Sequence, residues 1–365
     1  MCRIESFLND NFQAKQTRNM YRCILKKYFE IVGSDPETYF QEGRDYKADV
    51  KKYKNEFLND RPPKTYNSYM SAINSFLMEN DVELGAQFWR TLRGRKKGAN
   101  SNRAVTKDRV PTLDELRKIL SHGGAKESAF FIILASSGMR IGELCNLNRR
   151  DVYLDENPVR IDIPAEITKT GERRTTYMSR EAANFLREWY KVREAYIEKA
   201  IIKNNLPGVH KTINDDRIFP FNKITGWRSW EVMAGKAELD EKDTKTNRAV
   251  LHPHALRKFF RTKMGKAIGV DMTEALMGHS GYMTEYRKYS DKELAEAYQA
   301  GEGAVLVFER EIAQDLTAVN EQLKDKDLEI QTLREENQAV KADLLEMRLT
   351  LLELKDKING KKLTK

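Results

Sequence analysis

The chain has 365 residues, a formal net charge of +9 and 33% charged residues, which leaves room for two ordinary domains and something extra. The charge points to a polyanionic partner, most simply nucleic acid, while the lack of a long apolar run or signal peptide argues against export or a membrane span. Cys2, Cys23 and Cys145 are odd in number, far apart and in no metal-ligand spacing, so they read as free thiols of a reducing cytoplasm, not as a disulfide frame or a zinc site.

Residues 1–95 are predicted to form a small all-helical domain. In residues 19–29, Tyr21, Ile24, Leu25 and Tyr28 stand at helical spacing and Gly33 ends the run. Pro62 and Pro63 break the chain, and residues 64–77 begin another amphipathic helix through Tyr66, Tyr69, Met70, Ile73, Phe76 and Leu77. No catalytic constellation is visible in this part. Between residues 86 and 110, basic residues (Arg90, Arg93, Arg95, Lys96, Lys97, Arg103, Lys107, Arg109) face the single acid Asp108, and residues 98–102 have no apolar periodicity. Residues 96–110 therefore read as a basic linker, either solvated or lying along a phosphate backbone.

A second domain, residues 111–303, opens with Thr112 as N-cap and Glu115 completing a capping box. Helices dominate it, but residues 159–167 and 173–178 alternate as strands, joined into a hairpin by the turn at 168–172. The predicted class is mainly α with a small β-sheet. From residue 312 onward, apolar residues alternate spacings of three and four: Ile312, Leu316, Val319, Leu323, Ile330, Leu333, Val340, Leu344, Met347, Leu351, Leu354 and Ile358, with only Lys326 and Asn337 interrupting. Such a seam predicts a coiled coil over 304–365. Asn337 at an a position is the kind of polar insertion that specifies a parallel dimer. From Ala304 on there are 11 Lys and Arg against 13 Asp and Glu, which leaves +11 on residues 1–303. The tail reads as an element for oligomerisation or for binding a partner, and the polyanion-seeking charge lies elsewhere.

Four stretches of the second domain carry candidate chemistry: Ser-Ser-Gly-Met-Arg-Ile-Gly-Glu-Leu ending at Leu144, Thr-Lys-Thr-Gly-Glu-Arg ending at Arg173, His-Pro-His-Ala-Leu-Arg-Lys ending at Lys258, and Gly278-His279-Ser280. Singly, each has an ordinary structural reading. In this order they resemble the tyrosine recombinase or phage integrase family, in its Xer-like and archaeal form. The family signature runs Arg, Lys on a β-hairpin, His-x-x-Arg, Gly-His, then Tyr, and the matching positions here are Arg140, Lys169, His254, Arg257 and His279. The resemblance implies a helical, SAM-like core-binding domain over 1–95 and an α+β catalytic domain over 111–303.

It also implies an activity: site-specific breaking and rejoining of double-stranded DNA through a covalent 3′-phosphotyrosine link, with no metal, ATP or other cofactor. The expected assembly is a tetramer on DNA, with the coiled coil as a dimer contact, in a cytoplasmic, nucleoid-associated enzyme. Arg140 and Arg257 would neutralise the charge that builds on the phosphate, since forked guanidiniums never deprotonate near neutral pH. A donor of this kind is typically worth about 3–4 kcal/mol. Lys169 would protonate the leaving 5′-oxygen, and His254 and His279 would hydrogen-bond the phosphate and help move protons. Glu143, three residues after Arg140 on the same helix, would hold its guanidinium. Arg93, Arg95, Lys96, Lys97 and Arg103 would follow the DNA backbone.

Tyr282, Tyr286 and Tyr289 compete for the nucleophile. Ser290 and Glu293 form a capping box, which makes Tyr289 the residue that packs on Leu294 in a hydrophobic staple. Tyr282 follows His279 too closely to swing over the same phosphate. Tyr286 is favoured and Tyr289 stays open, because the family spacing falls between them. Two other functions fit the composition: a type IB topoisomerase-like enzyme that cuts and reseals one strand, and a catalytically silent DNA-binding architectural protein.

Overall fold

The computed structural model describes residues 3–93, 108–203, 212–244, 246–278 and 289–309, with six isolated tail positions, 326, 330, 331, 333, 341 and 347. The chain divides into two compact units, Met1–Thr106 and Lys107–Lys365.

The first unit is all-helical among its described residues: α1 (Arg3–Asn11), α2 (Lys15–Val32), α3 (Tyr46–Tyr53), α4 (Pro63–Glu79) and α5 (Ala86–Arg93). The apolar stripe read from the sequence is the buried face of α2, with Ile24, Leu25, Tyr28 and Phe29 in the core. Gly33 ends the helix in the left-handed conformation at φ 73°, where a residue without Cβ carries no steric penalty. Pro63 occupies the first turn of α4, where its missing N–H has no partner to lose.

The second unit is built around α7 (Ala125–Ser137), which follows α6 (Leu113–Leu120). The Thr112–Glu115 capping box that starts α6 is present. Nine of the 13 residues of α7 are buried, as expected of a helix that is apolar on all sides. Burying a phenylalanine such as Phe130 or Phe131 stabilises the fold by roughly 1.5–3 kcal/mol. Around α7 pack the long α9 (Arg180–Lys203) and α11 (His254–Ala267), while α12 (Val270–Met277) lies on α11 and α10 (Lys223–Lys236) on α6. A short α8 (Ile141–Leu144) and α13 (Asp291–Gly301) are the other helices of the packed body among the described residues.

The sheet has three antiparallel strands in the order β1 (Val152–Tyr153), β2 (Val159–Ile163) and β3 (Arg174–Met178). The expected hairpin is there, with Val159 opposite Met178 and Ile163 opposite Arg174. Strand β2 is shorter than the sequence pattern suggests. Pro164 has no N–H for the ladder, and residues 165–167 turn into a 3-10 segment instead.

The packed body also continues past residue 303, where the tail was expected to begin. Val305 and Val307 are fully buried, and the buried carboxylate of Glu181 accepts from the backbone N–H groups of Val307, Phe308 and Glu309 at 2.7, 2.5 and 3.1 Å. Arg117 Nε donates to the Val307 carbonyl at 2.7 Å. The linker boundary moves the same way, since Arg109 N–H already donates to Val250 of this unit. Of the expected seam, Ile330, Leu333 and Met347 lie among the described residues. They are helical and exposed; the other seam positions lie outside the described residues. No described helix is long and apolar enough to cross a membrane.

Glu181→Ala leaves one buried and two part-buried N–H groups without their acceptor, at about 1–3 kcal/mol each where water cannot reach. Its expected result is a fall of several kcal/mol in unfolding free energy by urea titration, with new protease cleavage between residues 304 and 310. Unchanged stability would refute this role for Glu181.

Candidate active site

Helix α7 cannot satisfy its own last carbonyl groups, and three other elements supply the donors. Tyr298 Oη of α13 donates to the Ser136 carbonyl at 2.8 Å, Thr176 Oγ1 of β3 to that of Ser137 at 3.1 Å, and Arg257 Nη1 of α11 to that of Gly138. Arg257 is 4% exposed, and its Nη2 donates to the Met277 carbonyl at the end of α12 at 2.8 Å. One guanidinium therefore joins two helix C-termini, where the carbonyl ends favour a cation. Burial first, then the charges of Arg140 and Arg174, push its pKa down to about 9, so it remains cationic at neutral pH.

Each helix ends on a left-handed glycine, Gly138 at φ 64° and Gly278 at φ 65°. A Cβ would overlap the Phe260 ring at the first and the Arg174 side chain at the second. This is the physical reason for the glycines in Ser-Gly-Met-Arg and in Met-Gly-His.

Arg140 does not lie within a helix, as expected, but is the extended N-cap residue of α8, with φ −77° and ψ 142°. The expected contact with Glu143 is nevertheless made. Glu143, 2% exposed, accepts from Arg140 N–H and Nη1, both at 2.8 Å. The same carboxylate takes a fork from Arg174, Nη1 at 3.1 Å and Nη2 at 2.6 Å. Burial raises the Glu143 pKa, but Arg174 and then Arg140 outweigh it and hold the carboxyl below its usual range. Among the described residues, Nε and Nη2 of Arg140 bind nothing, and its side chain is 25% exposed. These donors are free for an anion.

His254 is the first residue of α11, one turn before Arg257. It keeps an exposed face, while burial of the other and then the charges of His252, Arg257 and Lys258 push its pKa below the ordinary imidazole value. Its ring lies 6.3 Å from that of His252 at 11°, and His252 stacks in turn on Trp227. Asp108 meets His252 Nε2 at 3.2 Å and Lys258 Nζ at 2.6 Å. Lys169 is exposed on the turn between β2 and β3, with no hydrogen bond or ion pair among the described residues.

The structure thus brings together Arg140, Glu143 and Arg257, with His254 one turn from Arg257. Gly278, immediately before His279, packs on Arg174. His279, Tyr282 and Tyr286 lie outside the described residues, as do Arg95, Lys96, Lys97, Arg103 and the side chain of Arg93. Tyr289 is packed against the apolar cluster that includes Leu294, and the Ser290–Glu293 capping box is formed. Sequence reasoning missed Arg174 and the Asp108–His252–Lys258 group. Arg174 stands beside Arg173 and Glu172 with nothing to distinguish it, and Asp108 is remote in sequence from its partners. Among the described residues no cluster of His, Cys, Asp and Glu is arranged to hold a metal ion.

Guanidiniums gathered near one buried carboxylate, with donors left over on Arg140, form a centre able to take up an anion. Residues 103–295 match the Phage integrase family, and the chain belongs to that family, the tyrosine recombinases. Among curated proteins, it is 23% identical to tyrosine recombinase XerA of Pyrococcus horikoshii, over 80% of this chain and 90% of that one. It is 24% identical to tyrosine recombinase XerC of Proteus mirabilis, over 63% and 69%. Among solved structures, its fold resembles a lambda integrase fragment in a dimer bound to a COC′ core site, with a TM-score of 0.52 and 15% identity over 81% of this chain and 92% of that one. It resembles the Tn1549 transposon integrase in complex with transposon right end DNA equally well, at 0.52 and 16% over 81% and 98%.

Gly138→Ala is expected to lower the unfolding free energy by about 3 kcal/mol, from left-handed strain and overlap with Phe260; denaturant titration measures it, and a change below about 1 kcal/mol would be inconsistent with the geometry. His252 and His254 bind protons less tightly folded than unfolded, so they contribute stability above the unfolded pKa of about 6.5 that is lost as pH falls toward the depressed values. NMR titration should place both imidazole midpoints below that of a free histidine.

Proposed function

We propose that this site-specific recombinase cuts one DNA strand by direct attack of a tyrosine and holds it as a 3′-phosphotyrosine ester. The observation that carries the reading is the sharing of the buried Glu143 between Arg140 and Arg174 within the field of the buried Arg257, with unused donors on Arg140. The Tyr286 hydroxyl attacks phosphorus, the bond from phosphorus to O5′ breaks, and Lys169 gives its proton to the leaving oxygen. Arg140 and Arg257 neutralise the charge that grows on the non-bridging oxygens. His254, neutral near pH 7 because its pKa is pushed down, can take up a proton, and His279 binds the same phosphate.

A 5′-hydroxyl of the partner strand then attacks the ester, the new strand forms and the tyrosine is released. The ester conserves the bond energy, so rejoining requires no ATP. Exchange between two duplexes requires four such subunits, and the heptad tail supplies a homotypic dimer contact. The packing of Tyr289 against the apolar cluster that includes Leu294 favours Tyr286 as the nucleophile, since Tyr289 already has a structural task.

Duplex DNA is also bound by the N-terminal unit. A cavity of about 630 Å³ there is lined by Lys47, Lys51 and Lys54 together with the polar Gln87 and Thr91 and the apolar Leu84, Phe88 and Leu92. The basic residues Arg93, Arg95, Lys96, Lys97 and Arg103 add phosphate contacts.

Two experiments test this reading. On nicked suicide substrates, Tyr286→Phe should abolish the covalent protein–DNA adduct while Tyr289→Phe retains it; an adduct in Tyr286→Phe would transfer the role to Tyr289. The triple variant Lys47→Ala, Lys51→Ala, Lys54→Ala should weaken DNA binding for all sequences alike and reduce the slope of log K against log salt by about three. An unchanged slope would remove these lysines from the DNA interface.

A further inference from the structure

Arg174 has no part in the chemistry described so far, yet three parts of the site meet on its side chain. It is the first residue of β3, five positions after Lys169 and at the base of the turn that carries it. Its guanidinium forks onto Glu143, which also holds Arg140. Its Cδ and Nε lie against Gly278, where any Cβ would collide with them, and His279 is the next residue. The side chain is 10% exposed. Its Nε is buried without an acceptor among the described residues, an arrangement that packing alone would not select.

We infer that Arg174 is a positioning residue: it holds the base of the Lys169 turn in register with Arg140 and with Gly278 at the end of α12, so that the leaving-group acid arrives at the same phosphate as the arginines. This rests on the role of Lys169 proposed above. Lys169 itself has no hydrogen bond or ion pair among the described residues, so its placement depends on where the strand beneath it begins. The bidentate fork fixes that point. A lysine at position 174 could keep the charge but not the fork, because an ammonium has no planar pair of donors.

The experiment compares ordinary DNA with DNA in which sulfur replaces the bridging 5′-oxygen at the scissile phosphate. With oxygen, the bond from phosphorus to O5′ breaks and the alkoxide takes a proton from Lys169. With sulfur, the bond from phosphorus to sulfur breaks and the thiolate leaves unprotonated, so no acid is needed. Adduct formation is measured for the full-length wild type and for Arg174→Ala, Arg174→Lys and Lys169→Ala, each first checked for its melting temperature and DNA affinity.

On the oxygen substrate, Arg174→Ala and Arg174→Lys are each expected to slow cleavage on the order of 100-fold. The sulfur substrate should restore most of that rate, as it should for Lys169→Ala. An equal loss on both substrates, or a loss of folding in Arg174→Ala accompanied by full activity in Arg174→Lys, would overturn the inference and leave Arg174 a support of Glu143 only. A wild type that forms no adduct on either substrate would instead overturn the recombinase mechanism itself. If Lys169→Ala gains nothing from sulfur while the wild type is active, the acid is another group and the inference falls with that assignment.

Discussion

The second unit is organised by a need that every helix has: α7 ends in carbonyl groups that no donor within the helix can reach. Because α7 is buried on nearly every face, water cannot supply those donors either. Tyr298, Thr176 and Arg257 do so, from α13, β3 and α11. Helix α13, the hairpin strand and the His-x-x-Arg helix are thereby drawn to one point. The site forms there because this is where the fold must concentrate its donors.

Arg257 shows how a structural requirement and a chemical one share a residue. Its two carbonyl contacts, to Gly138 and Met277, hold a charge in a place that would otherwise reject it. Neutral acceptors satisfy its donors without cancelling its charge, which Glu143 and Glu274 partly offset. Glu143 treats Arg140 differently. A full carboxylate balances that guanidinium, but shares itself with Arg174, so one negative charge serves two positive ones.

How much of this could be read beforehand follows from the range of the interactions. Capping boxes at Thr112 and Ser290, the left-handed end of α2 at Gly33 and the β2–β3 hairpin are local, and their residues announce them. The contact of Arg140 with Glu143 was legible for the same reason, although the helix assumed to carry it begins one residue later. Pro164 could have warned that the strand stops at Ile163, but apolar alternation continues to Ile167 and conceals it. Arg174 and Asp108 could not be found by such means. Their partners are 31 and 150 positions away, at Glu143 and Lys258, and only closure of the fold selects them from neighbouring charges of the same kind. The end of the packed body was misplaced for a related reason. The apolar residues at 305 and 307 look like the approach to a heptad seam, and it takes the buried Glu181 to show that they belong to the core.

The site is electrostatically incomplete in a definite direction. Arg140, Arg174 and Arg257 bring three positive charges together against the buried Glu143 and the nearby Glu274, and burial first, then the charges of the other two arginines, push the Arg257 pKa down. A fold selected for stability alone would add a carboxylate or remove a guanidinium. In the mechanism proposed above, the arriving phosphate would relieve this imbalance. That relief would grow as negative charge accumulates on the non-bridging oxygens and be greatest at the transition state, which is the condition for charge placement to accelerate a reaction and not only to bind its substrate.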